Sequence, residues 1–263
     1  MTILDQLSDY AKQRVSADKM IISAEEMKQN AIDLSGDRTH AFVFERALKK
    51  PELGFICECK KASPSKGLIE PNFQYLKIAK EYEEAGADCI SVLTEPKWFL
   101  GSDEYLKEIA QSVSTPCLRK DFTVDEYQIY QAKVLGASAV LLICTILSEK
   151  QMEQYLEICD TLGLSALVEA HDEAEVDMAR RIGARIIGVN NRNLKDFTVD
   201  TDNSRKLRER IPSDILFVSE SGIRNEEDVR KVREMGADAV LIGETLMRAT
   251  DKKGLLELFR RSI

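Results

Sequence analysis

From residue 54 onward the chain alternates two hydrophobic periods. Short apolar runs of four to six residues are followed by longer stretches with apolar positions at helical spacing. The runs begin near residues 54, 88, 116, 139, 165, 186, 215 and 239. Many are apolar at consecutive positions, as expected of parallel strands covered on both faces by helices. The returns from helix to strand rhyme: Gly86, Gly136, Gly163, Gly183 and Gly236 each precede a run, placed to end a helix in the left-handed conformation. Pro116 and Pro212 mark two more returns. Helix starts are signalled by Thr123-x-x-Glu126 and Ser148-x-x-Gln151, which have capping-box form, and by Asp172 and Asn225 as N-caps. Eight strand–helix units in roughly 210 residues are the count of a (β/α)₈ barrel. The competing doubly wound sheet would more naturally carry a GxGxxG turn after its first strand, and none is present.

Residues 1–50 precede this repeat. Leu4, Leu7 and Tyr10 fall at helical spacing, as do Met20, Ala24 and Met27. Arg38 to Leu48 reads as a third short helix, broken by Pro51 and Gly54. The expected organisation is one barrel domain over 1–263, with 1–50 a helical extension and 54–263 the barrel.

Composition changes this picture little. A chain of 263 residues, 44% hydrophobic and 31% charged, can bury a full core. A net charge of -8 argues against nucleic acid as a partner. No apolar run approaches the roughly 18 residues of a membrane helix, and the N-terminus lacks the apolar core of a signal peptide. Six cysteines without a CxxC pair, and only two histidines, argue against a metal site or a disulfide framework. Reduced, packed thiols in a cytoplasmic protein are expected.

The chemistry gathers at the strand ends, where a barrel builds its active site. Strand 1 carries Glu58 and Lys60 on one face with Ile56, since positions i and i+2 share a face. A hydroxyl-rich basic loop, ASPSKG at 62–67, follows and includes Ser63. Strand 3 ends in Lys120-Asp121-Phe122, strand 5 in Glu169, strand 6 in Asn190-Asn191-Arg192 and strand 7 in Glu220-Ser221-Gly222. Two lysines and three glutamates thus converge from strands 1, 3, 5 and 7, too many to read as separate structural ion pairs. With no histidine or metal cluster expected there, the chemistry reads as cofactor-free acid–base work. Gly222 and Gly243-Glu244 follow strands 7 and 8, where barrels often hold phosphate on backbone N–H groups. Phe99 and Phe122 are placed to line a slot for a flat ring, whereas Trp98 reads equally well as loop packing.

Seven motifs carry a resemblance: ECKKASPSKG (58–67), SVLTE (91–95), RKDF (119–122), LVEAH (167–171), GVNNRNL (188–194), SESGI (219–223) and IGETLMR (242–248). With them the chain resembles the indole-3-glycerol phosphate synthases along its whole length, extension included. It departs in the cysteines flanking Glu58 and in Cys144-Thr145 closing strand 4. The resemblance implies decarboxylating, dehydrating ring closure of 1-(2-carboxyphenylamino)-1-deoxyribulose 5-phosphate, without a cofactor. It implies Lys120 as general acid, Glu169 as acid/base in dehydration, and Glu58 as the residue that holds and tunes Lys120. Lys60 would pair with a substrate anion or share the acid role. Asn190, Glu220 and Ser221 would orient hydroxyls and carboxylate, and Arg192 would help close the site. Gly222, Gly243 and the Glu244 amide would join Ser221 on the phosphate. Phe99 and Phe122 would flank the anthranilate ring, with Ser63 and Leu194 completing the substrate contacts. It also places the extension over the barrel mouth. Other readings are a phosphoribosylanthranilate isomerase type of barrel, which would not need the Glu58, Lys60 and Lys120 set, and a non-catalytic metabolite sensor, which would more readily lack a proton-transfer group. A monomer acting on a phosphorylated small molecule is expected.

Overall fold

The structure is a computed structural model, which describes residues 2–36, 39, 41–193 and 197–263. Eight parallel strands close a barrel: β1 (Gly54–Cys59), β2 (Cys89–Leu93), β3 (Cys117–Lys120), β4 (Ala139–Ile143), β5 (Ser165–Ala170), β6 (Ile186–Asn190), β7 (Leu216–Glu220) and β8 (Ala239–Ile242). Each pairs with its chain neighbours, and β8 closes on β1 through Gly54↔Ala239 to Cys57↔Ile242. The predicted barrel and its strand positions are therefore present.

Alternation along each strand divides the core in two. Phe55, Cys57 and Cys59 of β1 point outward into the layer between sheet and helices, while Ile56 points into the barrel. Inside, Ile56, Leu118, Leu167 and Val218 from the odd-numbered strands pack together. Two residues further on, the same face carries Glu58, Lys120, Glu169 and Glu220. Side chains of alternate strands share a layer of the barrel interior, so the layer above an apolar one is charged throughout. All six cysteines are buried free thiols.

The five predicted helix-ending glycines all have positive φ. Ser148 forms the predicted capping box, and Asp172 and Asn225 cap their helices. Thr123 does not: α6 (Glu126–Val134) starts on Asp125, whose carboxylate accepts from the Tyr127 amide. Thr123 is instead buried in a loop that Gln128 ties down through the Val124 amide and the Phe122 carbonyl.

The extension is three helices with different duties. Helix α1 (Ile3–Ile21) crosses the barrel mouth and is pinned by Arg14, whose guanidinium meets both oxygens of Asp121 at 3.0 and 2.6 Å. Helix α2 (Ala24–Asp33) lies against α6, where Tyr127 donates to the Ile22 carbonyl. Ser23 caps α2 and breaks the chain direction, so Met20 does not share a helix with Ala24 and Met27 and is exposed. Helix α3 (Val43–Leu48) starts five residues later than the sequence pattern predicts, after Phe42 in a left-handed conformation. It plugs the opposite end: Phe44 and Leu48 pack on Cys89, Ala139, Ile186 and Ala239 at the strand starts. The extension thus covers mouth and bottom together, not the mouth alone. Among the described residues no helix is long and apolar enough to cross a membrane.

Candidate active site

A cavity of about 520 Å³ opens at the strand ends, walled by Ile3, Leu4 and Leu7 of α1. Of the sequence-predicted site residues, Glu58, Lys60, Ser63, Phe99, Lys120, Phe122, Glu169, Asn190, Arg192, Glu220, Ser221, Gly222, Gly243 and Glu244 all line it. Leu194 lies outside the described residues.

Lys120 is the hub. Its Nζ lies 3.2 Å from Glu169 Oε2 and 3.5 Å from Glu220 Oε2. Burial pulls the ammonium pKa down, but Glu169, Glu220 and Glu58 together drive it upward. Lys120 therefore stays charged at neutral pH. Glu58 does not pair with Lys120, although the resemblance implies that it would. Its carboxylate pairs with Lys60, two residues on along the same face, and reaches Lys120 only through its field. The nearer lysine wins the contact because a partner at i+2 on one strand costs no long reach across the barrel.

Two carboxylates next to one ammonium are forced apart. In Glu169, burial favours the neutral acid, but Lys120, His171 and Asn190 outweigh it and hold the pKa below the ordinary range. In Glu220, burial together with the charges of Glu169 and Glu58 overcomes Lys120 and lifts the pKa to about 7. Glu220 Oε1 is buried with no hydrogen-bond partner, and a Cβ on Gly188 would sit 2.1 Å from it. Glycine at 188 is thus what leaves room for this carboxylate. One glutamate is poised ionised and the other near half-protonated, which is the division of labour acid–base chemistry needs.

Asn190 is locked between elements. Its Oδ1 accepts from Ser221 Oγ at 2.9 Å and from the Arg192 amide at 3.0 Å, which leaves its amide nitrogen for Glu169. Ser221 has φ +67, a conformation a side chain rarely adopts and one that clusters at functional sites. Arg192 Nη1 reaches Ser65 Oγ at 3.5 Å and the Phe197 carbonyl at 3.3 Å, tying the loops after β1 and β6 across the opening.

Gly243 differs from a plain phosphate cradle. A Cβ there would meet Glu58 Oε1 at 2.1 Å and Lys60 Nζ at 2.8 Å. Its lack of a side chain therefore makes space for the Glu58–Lys60 pair as well as for an anion. It opens α11 (Glu244–Arg248), whose first-turn amides have no intrahelical acceptor. The Glu244 carboxylate turns away to Arg248 at 3.0 Å and Lys66 at 3.6 Å. Phe99 and Phe122 pack on each other, ring centroids 6.2 Å apart at 42°, as one aromatic wall of the cavity rather than an open slot. Trp98 packs edge-on against Tyr10 of α1 at 5.6 Å, as loop packing. Glu95, at the end of β2, is fully buried and accepts from the amides of Lys97, Trp98 and Phe99, so it holds a loop. Cys144-Thr145 opens a single 3-10 turn.

Sequence reasoning missed a histidine. His171 Nε2 lies 3.4 Å from Glu169 Oε1. The i, i+2 spacing that joins Glu58 to Lys60 also joins Glu169 to His171, so the signal is present in the chain.

The indole-3-glycerol phosphate synthase family model matches residues 4–258. An indole-3-glycerol phosphate synthase of Ruminiclostridium cellulolyticum is 56% identical over 260 residues, covering 99% of each chain. One from Lacticaseibacillus paracasei is 51% identical, covering 98% of each. Among solved structures, a 3-hexulose-6-phosphate synthase superposes with a TM-score of 0.64 at 13% identity, over 80% of this chain and all of that one. At that identity it speaks for the fold alone. Full-length identity above one half, on a barrel whose charged layer lies where the seven motifs put it, leaves no ambiguity of family: the chain belongs to the indole-3-glycerol phosphate synthases.

Proposed function

We propose that this protein closes the indole ring of 1-(2-carboxyphenylamino)-1-deoxyribulose 5-phosphate, releasing carbon dioxide and water, as a cytoplasmic monomer with no cofactor. The observation that carries the reading is the Lys120 ammonium, held between two glutamates of unlike protonation inside a cavity with a phenylalanine pair.

The anthranilate ring lies against the aromatic wall formed by Phe99 and Phe122. The phosphate sits on the backbone around Ser221, Gly222, Gly243 and Glu244, with Ser63 beside it. Lys60, fixed by Glu58, faces a substrate anion. Asn190, Glu220 and Ser221 orient hydroxyls, and Arg192 holds the loops closed. The ring carbon bearing the carboxylate attacks the ribulose carbonyl, and Lys120 donates a proton to its oxygen. A developing alkoxide is more basic than an amine, so donation is favourable even from a lysine with a raised pKa. Aromaticity is lost at this step. It returns when the carbon–carbon bond to the carboxylate breaks, its electron pair going back into the ring as carbon dioxide leaves. Glu169 then takes a proton from the carbon beside the new hydroxyl and returns it to that hydroxyl, which departs as water as the ring double bond forms. Exclusion of solvent by α1 strengthens every charge interaction in the cavity.

The test is turnover of this substrate by the purified protein, followed by indole fluorescence. Absence of indole formation at saturating substrate sinks the reading. Lys60→Met should raise KM more than it lowers kcat; the reverse pattern would move the acid role to Lys60.

A further inference from the structure

His171 follows β5 and stands between two carboxylates. On one side its Nδ1 is 3.2 Å from Glu175 Oε2, which also accepts from the His171 amide at 2.7 Å. Thr145 Oγ1 donates to the other oxygen of Glu175 at 2.6 Å. On the far side Nε2 is buried and has no hydrogen-bond partner, and Glu169 Oε1 lies 3.4 Å from it. Lys120 holds the second oxygen of that same carboxylate. Two buried lone pairs facing one another would be costly, which favours the state with a proton on Nε2 toward Oε1.

We propose that His171 is a positioning residue for Glu169: clamped by Glu175 and Thr145, it holds Oε1 with a proton on Nε2 while Lys120 holds Oε2. The carboxylate is then fixed at both oxygens, in plane and orientation, and faces the cavity in one pose. The charges around the imidazole agree with a proton residing there. Burial disfavours the imidazolium, but Glu175, Glu169 and Glu220 outweigh it and raise its pKa. Asp172 is engaged as the cap of α8 (Glu173–Arg181), accepting from the Glu175 amide. A second cavity of about 1060 Å³ borders His171, and its wall also carries Asp5, Asp9 and Lys12 of α1 with Arg192 and Asp200 from the loop after β6. These groups are nearly balanced, three carboxylates to two cations, with Lys12 paired to Asp9.

The inference rests on the proposed reaction, and wild-type turnover tests that reaction separately. The experiment measures kcat and KM against pH for the wild type, His171→Ala and His171→Gln. His171→Ala should lower kcat roughly tenfold, less than loss of a direct acid or base, with KM nearly unchanged. Its acid limb in kcat/KM should move to higher pH, because Glu169 has lost a neighbouring positive charge. His171→Gln should recover part of kcat, since its amide can donate to Oε1, while the limb stays displaced. A wild-type kcat in His171→Ala, or a lowered kcat with the limb unmoved, overturns the proposal. A merely structural loss would give the second result.

Discussion

Lys120 and Asp121 are chain neighbours, yet they sit in two charge clusters of opposite character. Asp121 is buried in the cavity wall and has every need met. It takes two bonds from Arg14, one from Thr94 Oγ1 at 2.6 Å and one from the Phe122 amide at 2.8 Å, with Arg119 at 3.8 Å. Burial alone would raise its pKa, but the two guanidiniums hold it low. Arg119 is in turn shared with Asp103 at 2.8 Å. On the other side, Lys120 is outnumbered by carboxylates, one of which keeps an unpartnered buried oxygen and a pKa near neutrality. A saturated cluster fixes geometry. An unsaturated one stores a demand that a substrate can meet. Charge density alone does not separate them; hydrogen-bond accounting does.

The strongest break of this comparison is Lys120→Met. Removal of the proton donor should lower turnover roughly 10²- to 10⁴-fold, seen in indole fluorescence, with the far-UV spectrum intact. Lys120→Arg should fail too, because a guanidinium is a poor donor at neutral pH. Near-normal turnover in Lys120→Met would dismiss Lys120 as the acid.

Asp121→Asn should do the opposite: cost stability rather than chemistry. Arg14 loses its bidentate counter-charge and Arg119 its second one, a loss of about 3–5 kcal/mol, readable from urea unfolding. A midpoint within error of wild type would mean the cluster is not what pins α1.

Glu220 sharpens the contrast through pH. Its folded pKa is lifted from 4.5 to about 7, so the folded state binds the proton more tightly than the unfolded chain. The stability this supplies is complete below about pH 4.5 and is lost as pH rises through 7. Glu220→Gln imitates the protonated form. Its stability relative to wild type should therefore be greater at pH 8 than at pH 5. An equal difference at both pH values in urea titrations would contradict the raised pKa.

The smallest effect belongs to the cover. Ile3→Ala trims the wall that α1 lays over the cavity. Roughly 1 kcal/mol of apolar contact, about fivefold in KM, should be lost with kcat kept. Unchanged KM would remove α1 from the binding surface.

The barrel was legible because its signals are local. Strand length, the glycines at helix ends and the caps at Ser148, Asp172 and Asn225 act within a few residues. So does the two-residue alternation that placed Glu58, Lys120, Glu169 and Glu220 at the ends of apolar rows. The false capping box at Thr123 shows the limit of such signals: Asp125 competes two residues away, and only loop packing by Gln128 decides between them.

By itself the sequence determined which residues would reach the mouth of the barrel, since strand periodicity allows each side chain one of two faces. Tertiary structure decided which of them touch. Glu58 chose Lys60 over Lys120, Gly188 and Gly243 became the spaces into which carboxylates fold, and His171 came to rest on Glu169. Those outcomes depend on distances of a few ångströms across the barrel, set by strand stagger and by burial that no local pattern encodes. The extension was divided in the same way. Its helices can be read from spacing, but α1 became a cover through Arg14 and Asp121, 107 positions apart in the chain, and α3 became a plug because the strand starts left an apolar opening beneath.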